Sequence, residues 1–228
     1  MNKKKVTQHI SVYRFEFLLF ALLMLLFDKI FFVDNVFYLS YIWPANMLVM
    51  GLASVGIFQE RSKWLIVTKN VLFMATMCLP FLFAVYRSNP VFMAFLITIY
   101  ISYYSLIFVE TLRQITQRGE VTISVILGSF CGYLLLIMVC LFSLLLIEFN
   151  TPKSFHGISS THPELIYNEL AYFSFIVFTS IGFGDIYPIS DTARFATAFF
   201  GVVGQFYMVV LVGIIISKYV GVIDQPAE

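Results

Sequence analysis

Six apolar runs, each about as long as a bilayer is thick, divide this chain, and this spacing constrains its fold more than any other feature. They cover residues 12–33, 36–58, 64–86, 91–111, 121–149 and 193–220. A helix needs ~20 apolar residues to cross ~30 Å of hydrocarbon, so each run is long enough to span. Charged residues make up only 12% of the chain, where a soluble domain carries about a quarter. The expected fold class is an all-α integral membrane protein with six transmembrane helices. Trp43-Pro44 and Pro80 mark kinks that such helices tolerate. Cys78, Cys131 and Cys140 all fall inside apolar runs, so buried thiols are expected, with neither a disulfide framework nor metal-ligand spacing. The first run continues past the length of a cleavable leader and has no small-residue cleavage site, so no removable signal peptide is expected.

Basic residues set the orientation. An even number of spans puts both termini on one side, which then collects Lys3, Lys4, Lys5, Arg14, Arg61, Lys63, Lys69, Arg113, Arg118 and Lys218. Only Lys29, Arg87, Lys153 and Arg194 fall opposite, and ten against four predicts cytoplasmic termini in a plasma membrane. A net charge of +1 gives no reason to expect nucleic acid as a partner.

Between the last two runs lies Thr179-Ser180-Ile181-Gly182-Phe183-Gly184-Asp185. A dehydrated alkali cation needs several inward-facing oxygens that replace its water shell at similar energy, and main-chain carbonyls can supply them. Turning successive carbonyls to one side requires ordinary and left-handed backbone angles in alternation, and glycine enters the left-handed region without a Cβ penalty. Gly182 and Gly184 stand at alternate positions, as that geometry demands. The segment reads as an ion selectivity filter, with the carbonyls of Ser180, Ile181, Gly182, Phe183 and Gly184 and the hydroxyl of Ser180 as candidate ligands of K+. Ile181 and Phe183 are expected to face outward and wedge the strand. The preceding stretch, 172–179, lacks Gly and Pro and predicts a short pore helix whose C-terminal partial negative charge favours a cation.

These seven residues resemble the potassium channel pore family, whose signature is T-[TS]-[VI]-G-[YF]-G-[DN]. The likeness runs without a gap from Tyr172 to Gly204, through Asp185, the Tyr187-Pro188 pair, Arg194 and Gly204. It implies a homotetramer with the filter on its axis, supported by Thr179, by Asp185 as a hydrogen-bond acceptor, and by an aromatic cuff that includes Tyr172 and Phe173. Many members of the family carry threonine at Ser180 and tyrosine at Phe183. Serine lacks the methyl that anchors the hydroxyl, and phenylalanine cannot donate to the cuff. Both variants occur in selective members, notably the ether-à-go-go-related branch, so selectivity is expected together with a filter prone to collapse at low K+. In the register of the resemblance, Gln205, Met208, Val212 and Ile216 line the inner cavity, and Val212 and Ile216 could close it by dewetting. Gly204 is expected as a hinge. Ala193, Thr197 and Gly201 form a small-residue series suited to close helix contact.

Six spans with a re-entrant loop before the last also resemble the voltage-gated cation channels. A voltage sensor needs regularly spaced arginines in the fourth span, because each charge contributes only ~2.3 kcal/mol per 100 mV. No Arg or Lys stands between Val91 and Leu112. The expected organisation is therefore a non-sensing four-helix peripheral domain at 1–111, a cytoplasmic linker at 112–120 and a pore domain at 121–228. No intracellular ligand-binding domain is expected on this polypeptide. Tyr100, Tyr103 and Tyr104, with Ser102 and Ser105, either line a pocket for lipid or a small molecule or simply pack between helices. Asp185, Asp191 and Glu169 add negative charge near the outer mouth, where His156 and His162 also lie.

The spans lack any nucleophile beside a base and any His/Asp/Glu cluster, so an enzyme is not expected. K+ enters as the permeant ion and no cofactor is expected; the partners are lipid and further copies of the chain. A non-selective monovalent cation channel and a non-conducting regulatory subunit remain as alternatives.

Overall fold

The computed structural model describes residues 13–32, 37–58, 62–86, 89–117, 122–159 and 163–213. Nearly all of this is helical. Helix α1 (Arg14–Phe27) ends in a 3-10 turn at Asp28–Ile30. A π-helical turn, Tyr38–Ile42, leads into α2 (Trp43–Ile57). Pro44 lies in the first turn of α2, where its missing N–H costs nothing, and the helix changes type immediately before it. Helices α3 (Lys63–Tyr86), α4 (Pro90–Gln117) and α5 (Ile123–Asn150) follow, then α6 (Pro163–Phe178) and α7 (Asp191–Phe206), which continues as a π-helix over Tyr207–Val212.

By length and composition, two helices are able to cross a membrane among the described residues, Pro90–Thr116 and Ile123–Asn150. Their neighbours turn large apolar side chains outward, among them Phe17 and Phe20 on α1, Phe31 after it, Leu52 on α2 and Val71 on α3. Such a surface suits lipid and not water, as a membrane protein requires.

Helix α5 is apolar on all its faces and buries most of them. It is the hub, packing against α1, α4, α6 and α7. Its most extensive partner is α4, which folds back along it. Tyr100 and Tyr104 of α4 stack on Phe142 of α5 at 4.8 and 5.5 Å between ring centroids. Tyr103, fully buried, meets Tyr104 edge-on and lies against Phe73 of α3. The tyrosine cluster therefore serves as packing and joins the outer helices to α5.

Several boundaries differ from the sequence reading. α4 runs through Gln117, six residues into the expected linker, because Gln114 donates both to Glu110 one turn back and to the Ile57 carbonyl of α2. Helix α6 begins at Pro163, nine residues before the expected start, since proline is preorganised for a first helical turn. Cys131 and Cys140 are buried, but Cys78 is exposed on α3.

Candidate functional site

The loop after α6 begins where the helix runs out of partners for its last carbonyls. Those carbonyls accept from the loop itself. Ser180 N–H bonds to Val177 at 3.1 Å, and the N–H groups of Ile181 and Gly182 both reach Ile176, at 3.0 and 3.3 Å. Thr179 turns its hydroxyl back to the Phe175 carbonyl, 2.8 Å, and Tyr133 of α5 donates to the carbonyl of Phe178, 2.9 Å. The helix end is thus closed without water.

Beyond it the backbone alternates. Ser180, Gly182 and Gly184 have φ of 58°, 58° and 80°. For the glycines this is free of steric cost, and neither would bring a Cβ within 4 Å of anything. Conformation alone therefore explains them. For Ser180 the left-handed region costs roughly 1–2 kcal/mol, and nothing in a serine codon of sequence announces it. Among the described residues, no hydrogen bond is accepted by the main-chain carbonyls of Thr179 to Gly184. All six residues are exposed in the single chain, so their carbonyls are open to solvent or to another ligand.

Within one chain Ile181 and Phe183 face outward, 54% and 70% exposed. The two cuff residues diverge. Tyr172 is exposed with the Asp185 carboxylate near its hydroxyl, whereas Phe173 is buried against Phe155, ring centroids 5.6 Å apart. Neither ring meets Phe183 among the described contacts.

The outer loop supports the far end of the segment. Strand β1 (Phe155–His156) pairs antiparallel with β2 (Tyr187–Pro188), and His156 stacks on Tyr187 at 4.6 Å. Gly157, φ 85°, lies so close to the Asp185 carbonyl that no Cβ fits between. Glu148, at the end of α5, accepts from the N–H groups of Lys153, Ser154 and Phe155 at 2.8, 2.9 and 3.3 Å, which fixes the start of this loop. Glu148, Gly157 and Tyr133 are supports that the sequence reading missed. A lone acid ending an apolar run and a glycine after histidine are the faint signals they leave. Glu169 binds Ser159, through its N–H and its hydroxyl, and Asp191 lies 4.0 Å from Arg194 on the surface. His162 lies outside the described residues.

Helix α7 approaches the loop from below. A Cβ on Gly204 would lie 2.9 Å from the ring of Phe178, whereas one on Gly201 would meet only Val177, at 3.8 Å. Within one chain the close helix contact thus falls at Gly204, the expected hinge. Gln205 and Met208 are exposed, and the side-chain amide of Gln205 donates to the hydroxyl of Ser180. The spacing of three and four expected for Gln205, Met208 and Val212 presumes an α-helix, but from Tyr207 the helix is π, which shifts the facing positions. Tyr207 anchors this segment: its hydroxyl donates to Ser129, 2.8 Å, and seats over Gly132. The side chain of Val212 and the whole of Ile216 lie outside the described residues.

The elements from α5 to α7 thus form a long buried helix, a shorter helix that ends in a carbonyl-bearing loop, and a third helix packed against both. Residues 130–220 match the ion channel family. This ion channel region covers about two fifths of the chain and takes in the whole loop, and it points to a channel and not an enzyme. No curated protein and no solved structure matches the chain.

Proposed function

We propose that the chain forms a potassium-selective channel that conducts K+ passively through four copies of the loop at 180–184. The observation that carries this reading is the alternation of φ at Ser180, Gly182 and Gly184 together with the unengaged carbonyls of Thr179–Gly184. Such a strand offers oxygens in place of a hydration shell. One strand makes one wall, so a ring of copies is required. Phe195, Phe199, Val202, Phe206 and Val209 support that assembly. They recur every three or four residues along one stripe of α7 and are 62–78% exposed, a surface suited to a neighbouring copy. In this reading Asp185 and Tyr172 brace the filter, Gln205 and Met208 face the cavity, Val212 and Ile216 lie at the inner gate, and both termini are cytoplasmic across six spans.

The four outer helices act as scaffold. α4 carries no Arg or Lys before Arg113, so gating by a moving arginine ladder is absent from this reading. A non-selective monovalent cation channel is the second reading, favoured by the 70% exposure of Phe183, whose ring meets neither Tyr172 nor Phe173 among the described contacts. The purified chain in planar bilayers, with K+ on one side and Na+ on the other, separates them. A reversal potential near the K+ equilibrium value supports selectivity, and one near zero establishes the alternative.

A further inference from the structure

We infer that Gln205 is a positioning residue for the innermost oxygen of the filter, the hydroxyl of Ser180; this rests on the pore reading above. Ser180 has three features that set it apart. It holds a left-handed backbone with φ 58°, its side chain has no second Cβ substituent to fix its rotamer, and it is exposed. A serine hydroxyl in that setting has three staggered positions available. The one it adopts receives the N–H of Gln205. The amide comes from a helix 25 residues further on, and reaches the hydroxyl because α7 packs on Phe178, two residues before Ser180, at Gly204, where a Cβ would come within 2.9 Å of the ring.

The hydroxyl oxygen has two lone pairs. One accepts from Gln205 and the other stays open to a cation. The amide therefore supplies from the inner helix the restraint that a methyl on the same Cβ would supply locally. Each copy contributes one such strut, so a ring of Ser180 hydroxyls is held at a radius set by α7. Any rigid displacement of α7 relative to α6 then moves a filter ligand directly.

The test is a cycle of Gln205→Met, Ser180→Ala and the double variant, read as the K+/Na+ permeability ratio of full-length protein in bilayers. That ratio is a readout that a contact serving only stability leaves unmoved. Loss of one such hydrogen bond predicts a ratio reduced roughly five- to tenfold in Gln205→Met, with the double variant no worse than Ser180→Ala alone. An unchanged ratio in Gln205→Met, or additive losses in the double variant, overturns the strut. If a variant conducts too little to measure, the melting temperatures of the same four proteins in KCl replace the ratio: a shared loss supports the strut and additive losses overturn it. If the unaltered protein passes Na+ as readily as K+, the reading of the pore fails, while the melting cycle still decides whether the amide and the hydroxyl act as a pair.

Discussion

Gly182 and Gly184 occupy a backbone region that any Cβ makes costly, yet both stand in open space. Replacing Gly182 with Ala should therefore cost about 1–2 kcal/mol of local conformational energy while leaving the remaining packing intact. The expected outcome is protein of unchanged helicity and oligomeric mass that carries no K+ flux in liposomes. Glu148 behaves in the opposite way, since its carboxylate is the partner of three main-chain donors. Glu148→Ala strands them and should destabilise the outer loop by on the order of 3 kcal/mol; Glu148→Gln, which keeps one acceptor oxygen, should lose less, as detergent melting curves would show. At this scale the sequence was legible where chemistry leaves one choice of residue. Glycine at 182 and 184 announces its φ, but serine at 180 does not, and Glu148 finds its partners only once the loop has folded back over it.

The inner helix joins two types of coil. α7 is regular to Phe206 and π from Tyr207, where the Tyr207 hydroxyl is tied to Ser129 of α5. Its two central glycines should respond oppositely to alanine. Gly204→Ala drives a methyl into the Phe178 ring and should cost about 1–3 kcal/mol by overpacking. Gly201→Ala has room and should be neutral or stabilising by up to about 1 kcal/mol through helix propensity. Equal melting temperatures for the two variants would contradict the contact geometry. That the apolar runs are helical over their described residues could be read from their length, which exceeds that of a strand. Their ends could not. α4 is extended by Gln114 bonding across to α2, and α6 by a proline that starts a helix as readily as it ends one. The π segment escaped altogether, since Tyr-Met-Val-Val-Leu-Val carries no mark that separates it from α-helix.

The outer helices join the rest of the fold chiefly along α4 and α5, and the tyrosines stacked on Phe142 lie at that seam. Phe142→Ala should cost about 3–5 kcal/mol and loosen the outer helices before the pore half, which limited proteolysis would reveal as early cleavage confined to the outer helices. In the proposed assembly the exposed stripe on α7 is the surface that meets a neighbouring copy. Phe199→Glu should leave helicity unchanged but lower the oligomeric mass measured in detergent, and an undiminished mass would show that copies meet elsewhere. The tyrosine seam was visible in the sequence as a cluster but not as a seam, because its partner Phe142 is one apolar residue among many.

Since α4 lies along the α5 of its own chain, each copy in the proposed assembly would carry its outer bundle with it. Damage done there, by removing the Tyr104 ring for example, should remain a private defect of the copy that bears it. When intact and altered chains are mixed, function should decline in proportion to the altered fraction and not collapse at the first defective member. Inheritance of a lesion in the bundle would then be recessive, and one in the shared loop dominant.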